Sequence, residues 1–214
     1  MEREHIIEKI LREKVIAIAR GLTAEQAVKA ATALYDGGIR LMEITFGKAS
    51  DEETGSIIAG AVRAMDGKMV IGAGTVLTER QAEITKANGG AFIISPDTNV
   101  SVIRRTVELG MVSIPGAMTP TEAVTAHHNG ADLVKIFPAA ALGADYIEAI
   151  CAPLGKLRLM AVGGISEKNL AQFLAAGCVG VGIGGSLVSR QRIDAGDYAA
   201  LTETAKQVVA ATRG

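Results

Sequence analysis

The chain has 214 residues, of which 49% are hydrophobic, and 22 Lys and Arg balance 23 Asp and Glu for a formal net charge of −1. This length suits one domain over 1–214 with a sizeable core. The balanced charge and the 3% aromatic content leave neither a basic block nor stacking platforms for nucleic acid, and no cationic face for an anionic membrane.

The N-terminal run Met1-Glu2-Arg3-Glu4-His5 is charged and opens an amphipathic helix over 2–13, unlike the apolar core of a secretion signal. No apolar run reaches the length of a membrane span. The two cysteines, Cys151 and Cys178, make neither a disulfide framework nor a four-ligand zinc site. A soluble protein of a reducing cytoplasm is expected.

A first strand over 15–19 runs into Arg20, which is either a clamp for a substrate carboxylate or a solvated rim residue. Thr23 with Gln26 then forms the pattern of a capping box, and Gly37-Gly38 ends that helix. The second strand, 41–46, carries Glu43 and Thr45 on one face by its period of two. Burial there suits Glu43 either to general-base work or to partnership with a buried cation.

The third strand, 69–75, ends in Ile71-Gly72-Ala73-Gly74-Thr75-Val76, a tight turn that also leaves backbone open to close approach and a hydroxyl at its tip. Thr78 with Gln81 starts the next helix, and Gly89-Gly90 closes it. A fourth strand spans 91–96, followed by Asn99 as an N-cap, and a fifth spans 111–115. Thr119 with Glu122 repeats the capping box, with Pro120 at the first helical position.

The sixth strand, 132–138, holds Lys135 among apolar neighbours, with Phe137 on the same face. Desolvation there gives either a neutral amine able to attack a carbonyl, or an ammonium whose stem packs while its head reaches water. The seventh and eighth strands, 158–163 and 180–184, end in Gly163-Gly164 and Gly184-Gly185-Ser186. Glycine turns on the last two strands suit a phosphate, which loop amides bind, as well as simple turns. Ser166 is a further N-cap, and a last helix covers about 197–212.

Eight strands alternating with helices point to an α/β fold: a (β/α)8 TIM barrel with an extra N-terminal helix. The rival, an open doubly wound sheet, lacks its fingerprint, because Gly72-Ala73-Gly74 has no third glycine and Gly180-Val181-Gly182 comes too late. His5 and the adjacent His127-His128 have no spacing for a metal, and Cys178 suits a small core residue.

The collinear motifs Glu43-Ile44-Thr45-Phe46, Ile71-Gly72-Ala73-Gly74-Thr75-Val76, Ile94-Ser95-Pro96, Ile114-Pro115-Gly116, Lys135-Ile136-Phe137-Pro138 and Gly163-Gly164-Ile165 carry a family resemblance. Over about residues 10–190 the chain resembles the KHG/KDPG aldolases. The resemblance implies a class I lyase that needs no metal or cofactor and acts on a small keto-acid phosphate. It would cleave 2-keto-3-deoxy-6-phosphogluconate to pyruvate and glyceraldehyde 3-phosphate, and 4-hydroxy-2-oxoglutarate as well.

The same resemblance makes Lys135 the Schiff-base residue and Glu43 the proton-transfer residue. Thr75 would hold the pyruvyl carboxylate, Pro96 and Phe137 would line the pyruvyl pocket, and Gly163, Gly164, Gly184, Gly185 and Ser186 would surround the phosphate. It also implies a homotrimer.

Where many gluconate-type members have an arginine after the Glu strand, this chain has Gly47-Lys48, and Val162 stands where they have threonine. Ile16-Ala17-Ile18-Ala19-Arg20-Gly21 is more similar to the 2-keto-3-deoxy-6-phosphogalactonate branch, in which Arg20 would take the carboxylate. Ser186 and Thr45 lean to the gluconate type. A phosphosugar isomerase or epimerase on the same barrel, or a non-catalytic phosphometabolite-binding barrel, would share the phosphate turns without needing a desolvated Lys135.

Overall fold

The computed structural model describes residues 2–213, so Met1 and Gly214, the two ends of the expected domain, lie outside it. Its strands are β1 (Val15–Ala19), β2 (Leu41–Thr45), β3 (Val70–Gly74), β4 (Phe92–Ile94), β5 (Val112–Ile114), β6 (Gly116–Ala117), β7 (Val134–Ile136), β8 (Leu159–Val162) and β9 (Gly180–Ile183). They form one sheet in the order β5-β4-β3-β2-β1-β9-β8-β7-β6, every pair parallel. The expected barrel is therefore present.

Its closure differs from the sequence expectation. The strand expected to end at 115 continues past Pro115 as β6. Proline has no N–H to give to a ladder, so pairing is interrupted there. β5 pairs with β4 below the break and β6 with β7 above it, while Lys135 N donates to Pro115 O at 2.8 Å. Both edges of the sheet thus belong to one bent segment, and that segment closes the barrel.

The helices are α1 (Arg3–Glu13), α2 (Ala24–Asp36), α3 (Asp51–Ala64), α4 (Glu79–Ala87), α5 (Val100–Glu108), α6 (Pro120–His128), α7 (Ala139–Leu142), α8 (Ala144–Cys151), α9 (Leu170–Ala175), α10 (Arg190–Asp194) and α11 (Tyr198–Ala211). Thr23 and Thr119 form complete capping boxes with Gln26 and Glu122. Thr78 forms half of one, because the Gln81 side-chain oxygen accepts from Leu77 N instead. Asn99 caps α5 as expected.

Ser166 is not the cap of α9. That helix begins at Leu170 behind Asn169, whose side chain turns back to accept from Ser166 N and donate to Gly164 O. The single helix expected between the sixth and seventh strands is two, broken at Gly143, whose φ is +87°. No sequence expectation covered α10.

Apolar residues fill two shells. One lies between barrel and helices; the other fills the lower barrel, where Leu41, Phe92, Leu133 and Met160 meet Ile6, Ile7 and Ile10 of α1. The extra N-terminal helix is thus a plug across the N-terminal mouth. Leu41 and Leu133 face inward, so the period of two sends Glu43 and Lys135 inward one layer higher, toward the open C-terminal mouth.

Candidate active site

Glu43 and Lys135 are among the most enclosed polar residues in the protein, 2% and 5% exposed. Glu43 Oε2 has no hydrogen-bond partner. Burial pushes the Glu43 carboxyl up to about 7, against the opposing pull of the Lys135 and Arg20 charges. Desolvation lowers the Lys135 ammonium, Glu43 and Asp97 favour its charged form, and Arg20 disfavours it. A base poised near neutrality and an amine easily deprotonated are thus set in one apolar layer.

Backbone geometry makes the room. Gly74 ends β3 beside Glu43, and a Cβ there would collide with the carboxylate. Thr75 follows in the left-handed region, φ +57°, a conformation costly for a β-branched residue and one that occurs where the surroundings impose it. Pro96 follows β4 after Ser95, whose buried hydroxyl donates to Val76 O at 2.7 Å and ties the ends of β3 and β4 together.

The Lys135 Nζ stands 4.8 Å from the centroid of the Phe137 ring. The same ring borders Gly163, where an added Cβ would lie 3.0 Å from Phe137 Cδ2. Phe137 is therefore in contact with both Lys135 and the glycine turn at 163.

Beyond it opens a cavity of about 470 Å³ that reaches Arg20, Gly163, Gly164, Gly184, Gly185 and Ser186. Gly163 and Gly164 hold φ of +95° and +75°, so the turn depends on residues without a Cβ. The Ser186 hydroxyl donates to Ile165 O at 2.8 Å, lashing the two turns together. With its hydroxyl proton engaged in that bond, Ser186 has its backbone N–H to offer an anion.

Every candidate residue falls at the C-terminal end of the barrel. Lys135 and Glu43 come together, and Arg20 and Phe137 line the cavity with the glycine turns. Thr75 and Pro96 lie at the same end but outside that cavity. Cavities of about 260 and 360 Å³ near Met69 and Arg40 belong to the opposite end and hold none of these groups.

One residue escaped the sequence reading. Asp97 acts on Lys135, and its signal was an acid directly after Ile94-Ser95-Pro96. Cys178 is buried, and that burial pushes its thiol up to about 12, which suits packing and not nucleophilic work. Among the described residues no group of His, Cys, Asp and Glu is arranged to hold a metal ion, and no helix is long and apolar enough to cross a membrane.

A family model described as KDPG and KHG aldolase matches residues 6–204. The chain is 41% identical over 174 residues to a 2-dehydro-3-deoxy-6-phosphogalactonate aldolase of Escherichia coli (strain K12), covering 81% of this chain and 83% of that protein. It is 36% identical over 206 residues to a 2-dehydro-3-deoxy-phosphogluconate aldolase of Treponema pallidum (strain Nichols), covering 95% and 96%. Among solved structures, KDPG aldolase from Legionella pneumophila, with pyruvate captured as a covalent carbinolamine intermediate, superposes with a TM-score of 0.87 at 26% identity, covering 94% of this chain and 97% of that one.

Proposed function

Because the chain belongs to the KDPG and KHG aldolase family, we propose that this aldolase works through a Schiff base on Lys135 and cleaves a 2-keto-3-deoxy-6-phospho sugar acid. The observation that carries the proposal is the buried pair of Lys135 and Glu43 at the barrel mouth. Neither an isomerase nor a binding barrel has use for a desolvated lysine there.

Neutral Lys135 attacks the C2 ketone of the substrate, and loss of water from the carbinolamine gives a protonated imine. The Glu43 carboxylate takes the C4 hydroxyl proton. The C3–C4 bond breaks, its electrons pass to the iminium, and glyceraldehyde 3-phosphate leaves. The remaining enamine is protonated at C3 by the Glu43 acid, and water then hydrolyses the imine to release pyruvate and restore the Lys135 amine. One carboxylate serving as base and then acid works best near neutrality, where burial puts Glu43.

Thr75 and Arg20 hold the pyruvyl carboxylate, Pro96 and Phe137 enclose the pyruvyl carbons, and the turns at Gly163, Gly164, Gly184, Gly185 and Ser186 take the phosphate. Two relatives at 41% and 40% identity bear the phosphogalactonate name. With Arg20 and Val162, they favour the galactonate epimer at C4 over the gluconate epimer. An active homotrimer and a cytoplasmic location complete the proposal; a solved relative at 37% identity is a cage designed by fusing symmetric oligomeric domains.

The deciding experiment is borohydride trapping with pyruvate followed by peptide mass mapping. A pyruvyl adduct confined to Lys135 is expected, and folded, pyruvate-saturated protein without one would sink the proposal. Comparing kcat/KM for the two C4 epimers then fixes the substrate.

A further inference from the structure

We propose that Asp97 is a specificity-determining residue, a fixed carboxylate at the mouth that disfavours substrates carrying a second carboxylate on C4. The inference deepens the functional reading above and rests on it.

The position of Asp97 is set by its backbone. Gly116 N donates to Asp97 O at 3.1 Å, and Thr98 Oγ1 donates back to Gly116 O at 2.6 Å. A Cβ on Gly116 would collide with the Pro96 carbonyl and lie 3.0 Å from Asp97 N, so the two segments are in close contact. Gly116 is the Cα partner of Lys135 across β6 and β7. Asp97 is therefore clamped to the residue directly beside the imine-forming lysine. Its side chain is exposed, and none of the salt bridges among the described residues includes it. The charge nonetheless reaches Lys135 and favours its ammonium form.

The charges around the mouth are arranged by side. Arg20 ends β1, and the glycine turns follow β9 and β8; these three strands are consecutive neighbours in the sheet. Asp97 follows β4, across the mouth from them. Arg20 and the backbone amides of the glycine turns thus favour an anion on the side of β1, β9 and β8, and the Asp97 charge disfavours one on the side of β4.

A 6-phospho sugar acid carries its second anion on C6, far enough along the chain to reach the glycine turns. 4-Hydroxy-2-oxoglutarate carries a carboxylate bonded to C4 itself, too short to reach those turns and close to the imine. Asp97 and a carboxylate on C4 repel across the mouth, and a change in rate on the order of tenfold is expected from that repulsion.

The experiment measures kcat/KM for 2-keto-3-deoxy-6-phosphogalactonate and for 4-hydroxy-2-oxoglutarate in the parent chain, Asp97→Asn and Asp97→Glu, at low and high salt, with pyruvate trapping on each protein. Asp97→Asn should raise the ratio of 4-hydroxy-2-oxoglutarate to phosphosugar acid about tenfold, less at high salt. Asp97→Glu, which keeps the charge, should keep the parent ratio. An unchanged ratio in Asp97→Asn, no turnover of 4-hydroxy-2-oxoglutarate by that variant, or a Glu variant that behaves like Asn would overturn the role of Asp97 while trapping at Lys135 persists. Loss of trapping in the parent chain would overturn the functional reading along with it.

Discussion

Gly74 leaves open the space that the Glu43 carboxylate occupies: a Cβ at Gly74 would overlap the carboxyl group. The two lie on neighbouring strands, Gly72 and Gly74 standing opposite Glu43 and Thr45. Gly74→Ala should therefore push the carboxylate out of line without unfolding the barrel, since only a side-chain tip has to move. Misplacing a catalytic group by about 1 Å costs roughly 100-fold in rate. Steady-state kinetics beside a thermal melt would check this; a folded variant of near-parental activity would show that the placement of Glu43 is immaterial.

The pH dependence follows from the same carboxyl. In the proposed mechanism cleavage needs Glu43 as the carboxylate, and burial raises its carboxyl to about 7. The rate kcat/KM should then fall as pH drops below that value, and Glu43→Gln should lose the part of this limb that Glu43 contributes along with roughly 100-fold or more of the rate. Stability runs the opposite way. A carboxyl raised from 4.5 to about 7 on folding makes the native state bind more protons across that window. The contribution of this carboxyl to stability therefore declines as pH rises from 4.5 to about 7 and is level above. Glu43→Gln removes the ionisation and should gain on the order of 3 kcal/mol at pH 8, vanishing in acid. Chemical denaturation at pH 4 and pH 8 would test the sign.

Much of this was legible because burial and chemistry left the same mark. All eight expected strands occur, and the inward face that holds Leu41 and Leu133 could be extended by alternation to Glu43 and Lys135. Two things stayed hidden for a physical reason. The break at Pro115 looks in sequence like the end of a strand, because proline stops a ladder whether or not the chain resumes pairing beyond it. Asp97 was missed because it lies one residue past an expected strand end, where an acid is ordinarily just solvated; only the Gly116 clamp makes its position matter.

The proposed phosphate role of the glycine turns can be tested apart from the proposed imine chemistry. Gly164 holds φ +75°, and a Cβ there would come 2.5 Å from Ala140 Cβ. Gly164→Ala must rotate or displace the turn, and strain of this kind costs about 1–3 kcal/mol. KM for the phosphorylated substrate should rise about tenfold, since 1.4 kcal/mol is a factor of ten. Pyruvate, which has no phosphate, should still be trapped at Lys135 at the parental rate. A slowed trapping reaction would mean that the turn shapes the pyruvyl pocket as well.

The plug is the last place where sequence, packing and stability meet. Arg3 of α1 grips Asp132 with two donors, Nη2 to Oδ1 at 2.8 Å and Nε to Oδ2 at 3.1 Å, and Asp132 Oδ2 also accepts from Ser113 N at 2.9 Å. One carboxylate thus joins the plug helix to β5, just ahead of β7. The Asp132 side chain is 11% exposed and that of Arg3 is 30%, so the pair is partly shielded from water. Asp132→Ala strips a charged acceptor from both partners and leaves the Ser113 amide unpaired, at about 2–3 kcal/mol. Arg3→Ala removes both guanidinium donors from a carboxylate that keeps the Ser113 amide, and because water can still reach Arg3 the loss is about 1 kcal/mol or less. A chain of this size loses about 2–4 °C in Tm per kcal/mol. Melts of both single variants and the double variant should show Asp132→Ala as the larger loss, with kcat/KM at 25 °C retained because the plug lies at the far end from Lys135. Equal losses would mean that the bond to Ser113 contributes nothing, and that Asp132 acts only as the anchor of α1.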